Sequence, residues 1–196
     1  MLPETPITSR KAHPVYATTV PTPLGPFSLV IVDDEILTAG FTAEPTDLLA
    51  ELPPRWRERR LRAHPSPEPY TSAITAYFDG AVRAIDGLPV VQPDSAFRRA
   101  AWWEMRGIRP GTTVSYRELA ARAGRPRAAR AAGAACAYNL IPLVVPCHRV
   151  RRTDGSLGGY YYGLDVKRWL LAHESGERPP LSSAPTAVAG QRDGVR

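Results

Sequence analysis

The stretch TTVSYRELAARAGRPRAARAAGAACAYN, residues 112–139, constrains the fold more than any other part of the chain. Ser115 with Glu118 fits the S-x-x-E capping box, so a helix is predicted from residue 116 to residue 123. Gly124 supplies its C-terminal stop, and Pro126 fits the first turn of a second helix, where a missing N–H costs nothing. Two helices joined by a turn of about three residues predict a helix-turn-helix.

Small side chains follow one face of this second helix. Alanines recur at the i, i+3, i+4 and i+7 positions, and arginines supply the charge: Ala128, Ala131, Ala132 and Ala135, with Arg125, Arg127 and Arg130. A face of this kind lets another surface approach the helix backbone closely, as binding in the minor groove of a duplex requires. The alternative is that alanine is simply the best helix former.

The rest of the chain divides into an N-terminal α/β part and a second, mainly helical part. The runs VYATTV, FSLVIV and ILTAGF, separated by PTPLGP and an acidic turn at residues 33–35, predict an antiparallel meander. Helices are predicted near residues 46–52 and over residues 70–78, 95–108 and 166–174. The charge-dense run RWRERRLR, residues 55–62, is predicted to be a solvated surface.

We therefore predict an α+β fold with two domains. A small α/β domain with an antiparallel sheet covers residues 15–92, and a mainly helical domain with the helix-turn-helix covers residues 93–175. Residues 1–14 and 176–196 are rich in proline, glycine, serine and charge, so both are predicted to be disordered tails.

Composition narrows the possible functions. The 196 residues contain no apolar run long enough to cross a membrane and no apolar N-terminal segment of a secretion signal, so a cytoplasmic protein without a membrane partner is expected. The net charge of +6 is compatible with a polyanionic partner but does not demand one. The two cysteines form no CxxC pair, which argues against disulfides and structural zinc; neither a metal nor a cofactor is expected.

The run LVVPCHRV, residues 143–150, is the strongest candidate for chemistry. Residues 143–145 are predicted to form a buried strand that Pro146 ends. A buried cysteine is commonly an inert small hydrophobe, but His148 and Arg149 favour the nucleophilic thiolate of Cys147. Because neighbouring side chains of an extended segment point to opposite sides, His148 is expected to act through a turn or a water, with Glu174 as orienting partner. Cys136 is interpreted as structural.

The segment GSLGGYYYGL, residues 155–164, combines mobile glycines with three tyrosines. Flat aromatic side chains stack on bases, although an ordinary surface loop would have a similar composition. A helix-turn-helix, a nucleophilic cysteine and an aromatic loop together favour chemistry on a base that leaves the duplex.

These motifs resemble the C-terminal active-site domain of the O6-alkylguanine-DNA alkyltransferases, also called methylated-DNA–protein-cysteine methyltransferases. The resemblance spans residues 97–174 through VSYRELA, RAAG, Asn139, PCHRV, GGY and GLDVKRWLLAHE. The N-terminal part resembles the family's α/β domain, with AYFDG as its closing signature. The resemblance implies DNA repair by a monomer that irreversibly transfers an alkyl group from O6 of guanine in duplex DNA, with O4 of thymine as a further candidate. The reaction would be a single turnover.

The resemblance implies a role for each matching position. Cys147 would accept the alkyl group, and His148 would deprotonate it through water with the help of Glu174. Tyr116 would rotate the target phosphate and assist protonation of guanine N3, while Asn139 would be a buried hinge.

The remaining roles concern DNA and the base. Arg130 would fill the space left by the flipped nucleotide, and small alanines would permit approach to the minor groove. The implied DNA-binding residues are Ser115, Tyr116, Arg125, Arg127, Ala128, Arg130 and Ala131, and the implied base pocket comprises the main chain at Cys147 together with Val150, Tyr160, Tyr161 and Lys167.

Two departures from the family pattern stand out. Leu140 follows Asn139 where the family generally has proline, which bears on the stiffness of the hinge. Tyr161 and Tyr162 replace small residues, so weaker reaction is predicted with large O6 adducts such as benzyl than with methyl.

Three other functions compete with repair. Alkyltransferase-like proteins bind lesions without repairing them but lack the cysteine, which is present here as Cys147. A transcriptional regulator would need a cysteine-rich sensor domain, and a Cys-His hydrolase would need an oxyanion site; the chain offers neither clearly.

Overall fold

A computed structural model describes residues 13–177. Its N-terminal sheet has four strands, β1 (Val15–Val20), β2 (Phe27–Val32), β3 (Glu35–Phe41) and β4 (Leu61–Ala63), in the order β3-β2-β1-β4. The first three form the predicted antiparallel meander, but β4 runs parallel to β1. The sheet is therefore mixed rather than antiparallel as predicted, because the charge run at residues 55–62 continues into a strand.

Helices cover both faces of this sheet. The N-terminal helices are α1 (Pro45–Leu49), α2 (Pro54–Arg57) and α3 (Tyr70–Phe78). All six residues of β2 are buried, since alternate side chains pack towards α3 and towards α1. Asp33 and Asp34 have positive φ angles of 52° and 60°, as the tight turn between β2 and β3 requires.

The second region is mainly helical, so the predicted α+β class is confirmed. It contains α4 (Ala96–Arg106), α5 (Tyr116–Arg122), α6 (Ala129–Ala137) and α7 (Leu164–Ser175), with β5 (Val114–Ser115) parallel to β6 (Val150–Arg151). No helix in residues 13–177 combines the length and apolar character that crossing a membrane requires.

The helix-turn-helix is formed by α5 and α6. Ser115 Oγ accepts from the Glu118 N–H at 3.1 Å, and the Glu118 carboxylate accepts from the Ser115 N–H at 2.6 Å, so the predicted capping box is present. The second helix, however, begins at Ala129 rather than around Pro126. Pro126 lies in a turn that the Ala128 N–H closes on the Arg125 carbonyl at 2.9 Å, and the connection covers residues 123–128.

The predicted strand at residues 143–145 is wrong. This apolar run forms consecutive turns, with Leu143 at a positive φ of 72° and the Val145 N–H donating to the Ile141 carbonyl at 2.9 Å. Residues Cys147–Arg149 then form one turn of 3-10 helix. A segment that is buried on all sides is apolar throughout, whether it is a strand or a turn, so the apolar run could not distinguish the two structures.

Candidate functional site

Cys147 begins the 3-10 turn that leads directly into β6, which pairs with β5. Its N–H donates to the Val145 carbonyl at 2.8 Å, and its side chain is buried with 8% exposure. Because β6 pairs Val150 with Val114, the turn lies beside the start of α5, where Tyr116 begins the helix. The backbone thus brings the predicted nucleophile to the helix-turn-helix.

His148 and Glu174 meet directly in the core. His148 Nε2 lies 2.8 Å from Glu174 Oε1, and both side chains are fully buried. This contact requires the 3-10 turn, because the turn directs His148 towards α7. Of the two routes expected for His148, a turn or a bridging water, the structure has the turn.

The Glu174 carboxylate is held by two further residues. Arg149 donates from Nε to Oε2 and from Nη2 to Oε1, both at 2.9 Å, and its Nη1 donates to the Ile108 carbonyl at 2.6 Å. Tyr77 of α3 donates its hydroxyl to Oε1 at 2.7 Å. Arg149 thus pairs with Glu174, whereas the sequence predicted it to favour the Cys147 thiolate. Tyr77 was not among the predicted site residues, although it lies in AYFDG, the segment that resembles the family's closing signature.

Electrostatics fix the protonation states in this cluster. Burial by itself raises the pKa of the Glu174 carboxyl, but His148 and Arg149 outweigh it and hold the pKa well below 4.5. Burial lowers the pKa of His148 below 6.5, although the Glu174 carboxylate acts in the opposite direction. A neutral imidazole facing a carboxylate carries its proton on Nε2. Its Nδ1 is then an acceptor, and it has no hydrogen-bond partner among residues 13–177.

The aromatic loop approaches the cluster from the other side. Tyr160 contacts His148 edge to face, with ring centroids 6.4 Å apart, and its buried hydroxyl has no partner within the described residues. Lys167 Nζ donates to the carbonyls of Val150 and Leu157, both at 2.6 Å, so a buried ammonium ties the loop to β6. Burial lowers the pKa of Lys167, against the attraction of a Cys147 thiolate.

The other two tyrosines of the loop contact the N-terminal domain. Tyr161 donates its hydroxyl to Glu51 at 2.8 Å, and Tyr162 packs edge to face on Phe41 with centroids 5.1 Å apart. A Cβ at Gly40 would come within 2.3 Å of the Tyr162 hydroxyl, so only glycine permits this contact. Because Tyr161 and Tyr162 contact the N-terminal domain, these contacts do not support the prediction that they narrow the base pocket. The predicted place of Tyr161 in that pocket stays a prediction.

Tyr116 faces both cysteines and the loop. Burial, followed by repulsion from the charges that Cys136 and Cys147 would carry, raises its pKa to about 12. A Cβ at Gly158, whose φ is +67°, would lie 2.6 Å from the Tyr116 hydroxyl, so this glycine admits the phenol against the loop. The Tyr116 hydroxyl therefore stays protonated and can donate.

The surface of the helix-turn-helix is basic, but only some of the alanines predicted to line it are even partly exposed. Ala132 and Ala135 are fully buried, and Trp102 Nε1 donates to the Ala135 carbonyl at 2.8 Å. Only part of the predicted alanine face therefore remains for another surface. The exposed arginines are Arg125, Arg127 and Arg130, the partly exposed alanines are Ala128 and Ala131, and Ser115 is buried as the cap of α5.

Asn139 connects the end of α6 to the turn before Cys147. Its Nδ2 donates to the Val145 carbonyl at 2.7 Å, and its Oδ1 accepts from the Ile141 N–H at 3.1 Å. The side chain is 3% exposed, so these bonds are made in the core. Residues 13–177 contain no cluster of three or more His, Cys, Asp or Glu side chains that could hold a metal ion.

Two family models match the chain. The 6-O-methylguanine DNA methyltransferase ribonuclease-like domain matches residues 15–92, and the DNA binding domain of the same family matches residues 96–176. Sequence relatives include a methylated-DNA–protein-cysteine methyltransferase of Shigella flexneri, 36% identical over 79% of this chain and 92% of that protein. One from Mus musculus is 46% identical, but only 55% of this chain and 56% of the mouse protein are aligned.

Solved structures agree with these matches. An O6-methylguanine methyltransferase of Mycobacterium tuberculosis is 28% identical, with a TM-score of 0.68 over 85% of this chain and 95% of its own. OGT of the same organism in complex with DNA is 27% identical, with a TM-score of 0.69 over 85% of this chain and 96% of its own. Matches to both domains and nearly the whole Shigella relative establish that this chain belongs to the O6-methylguanine DNA methyltransferase family.

Proposed function

We propose that the protein repairs duplex DNA by transferring a methyl or other alkyl group from O6 of guanine to Cys147, once per molecule. The observation that supports this most is the buried series Cys147, His148 and Glu174, in which a neutral imidazole has its Nδ1 available as a base. The names of the relatives agree with this activity, and OGT of Mycobacterium tuberculosis has been solved with DNA.

In the proposed reaction, the Cys147 thiol loses its proton to His148 Nδ1 through a bridging water. The sulfur electron pair then forms a bond to the alkyl carbon while the bond from that carbon to O6 breaks, and its electrons remain on the guanine. The Tyr116 hydroxyl, protonated because of its high pKa, donates a hydrogen bond to N3 of the leaving base. The guanine anion takes up one proton from water as His148 returns the thiol proton to water, so the products are neutral guanine and the thioether. The thioether product has no ready leaving group, so the protein is consumed.

The target base must leave the duplex to reach a buried sulfur. In this proposal α6 lies in the minor groove, with Arg130 filling the vacated stack and Arg125 and Arg127 contacting phosphate. Ala128 and Ala131 permit the approach. A monomeric state and a cytoplasmic location stay predictions of the sequence.

Mass spectrometry of the intact protein and its peptides after incubation with a duplex carrying one O6-methylguanine tests the function. We expect one added methyl per protein, on Cys147. Lesion binding without transfer would instead favour a non-catalytic lesion-binding module, and repeated turnover of an ester or amide would favour a hydrolase.

The transfer rate should depend on pH through His148. The imidazole must be neutral to act as a base, and burial lowers its pKa below 6.5, so the rate should be constant near neutral pH and fall only on further acidification. Single-turnover transfer measured from about pH 5 to about pH 8 gives the midpoint. A midpoint above the usual value for histidine would contradict a lowered pKa.

Salt dependence tests the arginine surface. Arg127→Ala should weaken binding to any duplex sequence and reduce the slope of log K against log salt by about one, because one phosphate contact is lost. Arg83→Ala is the matched control, since Arg83 is an exposed arginine of the N-terminal domain that pairs with Asp86. Equal slopes for Arg127→Ala and the wild type would remove Arg127 from the interface.

A further inference from the structure

The side chain of Gln92 links the two domains at the end of α6. Its Oε1 accepts from the Leu140 N–H at 2.9 Å, and its Nε2 donates to Asn139 Oδ1 at 3.1 Å. We call these two bonds the Gln92 clamp. Gln92 is the last residue matched by the N-terminal family model, so the clamp lies where one domain passes into the other.

Every donor and acceptor in the clamp has a defined orientation. The Leu140 N–H can only donate, which makes the facing atom of Gln92 its oxygen and leaves the Gln92 amide to donate. The Ile141 N–H likewise fixes Asn139 Oδ1 as an acceptor, so Asn139 Nδ2 donates to Val145. No amide flip satisfies all these partners, and the network therefore specifies a single geometry.

The N-terminal sheet holds both sides of the clamp. The Leu140 carbonyl accepts from the Ala39 N–H at 2.9 Å and from Thr38 Oγ1 at 3.0 Å, both on β3. One residue before Gln92, the Val91 N–H donates to the Ile36 carbonyl of the same strand at 2.9 Å. The outer edge of β3 thus fixes Gln92 and Leu140 relative to each other.

The clamp also reaches Cys147. Asn139 Nδ2 and the Cys147 N–H donate to the same acceptor, the Val145 carbonyl, at 2.7 Å and 2.8 Å. Three hydrogen bonds, through Asn139 and the Val145 carbonyl, therefore connect the Gln92 amide to the backbone of the predicted nucleophile. The Leu140 N–H supplies the second bond of the clamp, which the proline that the resemblance implies as usual at this position could not make.

We propose that Gln92 is a positioning residue for alkyl transfer: it holds the Asn139 hinge and, through Val145, the Cys147 turn in register with the N-terminal sheet. The inference rests on the proposed function. Its consequence is that the N-terminal domain, which holds none of the reacting groups, controls the rate at which Cys147 reacts. Loss of the clamp should slow transfer and leave the DNA-binding surface of α6 intact.

The test compares Gln92→Ala, Leu140→Pro and the double variant. Gln92 and Leu140 border a cavity of about 290 Å³, and truncating Gln92 only removes atoms, so it creates no clash. We expect Gln92→Ala to lower the single-turnover transfer rate by about fivefold to tenfold, as loss of a partly buried hydrogen bond predicts. The double variant should be no slower than Gln92→Ala, because Gln92→Ala already removes the bond to the Leu140 N–H that Leu140→Pro would remove.

Thr19→Val is the matched control. Thr19 shares a hydrogen bond of 2.8 Å with Ser28 inside the same sheet. Thr19→Val removes that bond and leaves the Gln92 clamp intact, so it measures the effect of destabilising the sheet alone. The control should transfer at the wild-type rate, and all variants should bind undamaged duplex like the wild type. Gln92→Ala reacting at the wild-type rate, or singles whose effects multiply in the double variant, would overturn the proposal.

Alkylation by iodoacetamide provides a readout that needs no DNA. A loosened Cys147 turn exposes the sulfur, so Gln92→Ala should react faster at Cys147 while its methyl transfer slows. Cys136 is the internal reference, because general unfolding would accelerate both cysteines. If the wild type accepts no methyl, the proposed function fails. The iodoacetamide measurement still tests the clamp, because unchanged reactivity of Cys147 in Gln92→Ala would contradict the proposed role of Gln92.

Discussion

We expect Cys147→Ala to abolish alkyl transfer, with a loss on the order of 10³-fold or more, because no other group can supply the nucleophile. The substitution removes one buried sulfur and none of the hydrogen bonds around Glu174. Binding to a duplex with O6-methylguanine should therefore persist. Transfer is measured as methyl incorporated into protein, and binding by fluorescence anisotropy.

Cys136→Ala is the control for this prediction. Burial, followed by the charge of Cys147, raises the pKa of the Cys136 thiol well above 9.0, so this cysteine stays protonated and unreactive. The variant should transfer at the wild-type rate. Methyl recovered on Cys136 in the wild type would contradict the assignment of Cys147 as the nucleophile. Residual transfer by Cys147→Ala would contradict it as well.

Glu174→Gln should be the most destabilising single substitution in the site. It leaves the Arg149 guanidinium, 1% exposed, without its carboxylate, and breaking a buried pair in this way costs about 3–5 kcal/mol. The transfer rate should also fall, because a neutral amide oxygen is a weaker acceptor for His148 Nε2 than the carboxylate, and the amide NH2 would face the donating Arg149. The free energy of unfolding is measured by urea titration.

A second variant separates charge from packing. Removing both charges, as Glu174→Gln with Arg149→Met, should recover part of the lost stability, since no uncompensated charge remains in the core. The pKa of Glu174 is depressed, so the carboxylate contributes stability above its unfolded pKa near 4.5, and this contribution is lost as the pH falls towards the folded value. The difference in the free energy of unfolding between the wild type and Glu174→Gln should thus be largest at neutral pH. Equal urea midpoints there would contradict this assignment.

Local patterns in the sequence predicted the elements whose causes are local. The capping box joins residues three apart, and α3 begins and ends where the amphipathic pattern does, at Tyr70 and Phe78. The hairpin turn at Asp33 and Asp34 is equally local. The start of α6 was missed because Pro126 suits a turn as well as the first turn of a helix.

By itself, the sequence determined the α+β class, the helix-turn-helix and the candidates Cys147, His148 and Glu174, because short-range spacing and side-chain chemistry specify them. Only the tertiary structure decided how they meet. Tyr77 and Glu174 are 97 residues apart, and Gln92 and Leu140 are 48 apart. The turn at residues 143–145 and the course of β4 were likewise set by packing. Such contacts depend on how two domains share one core, and no local period in the chain encodes them.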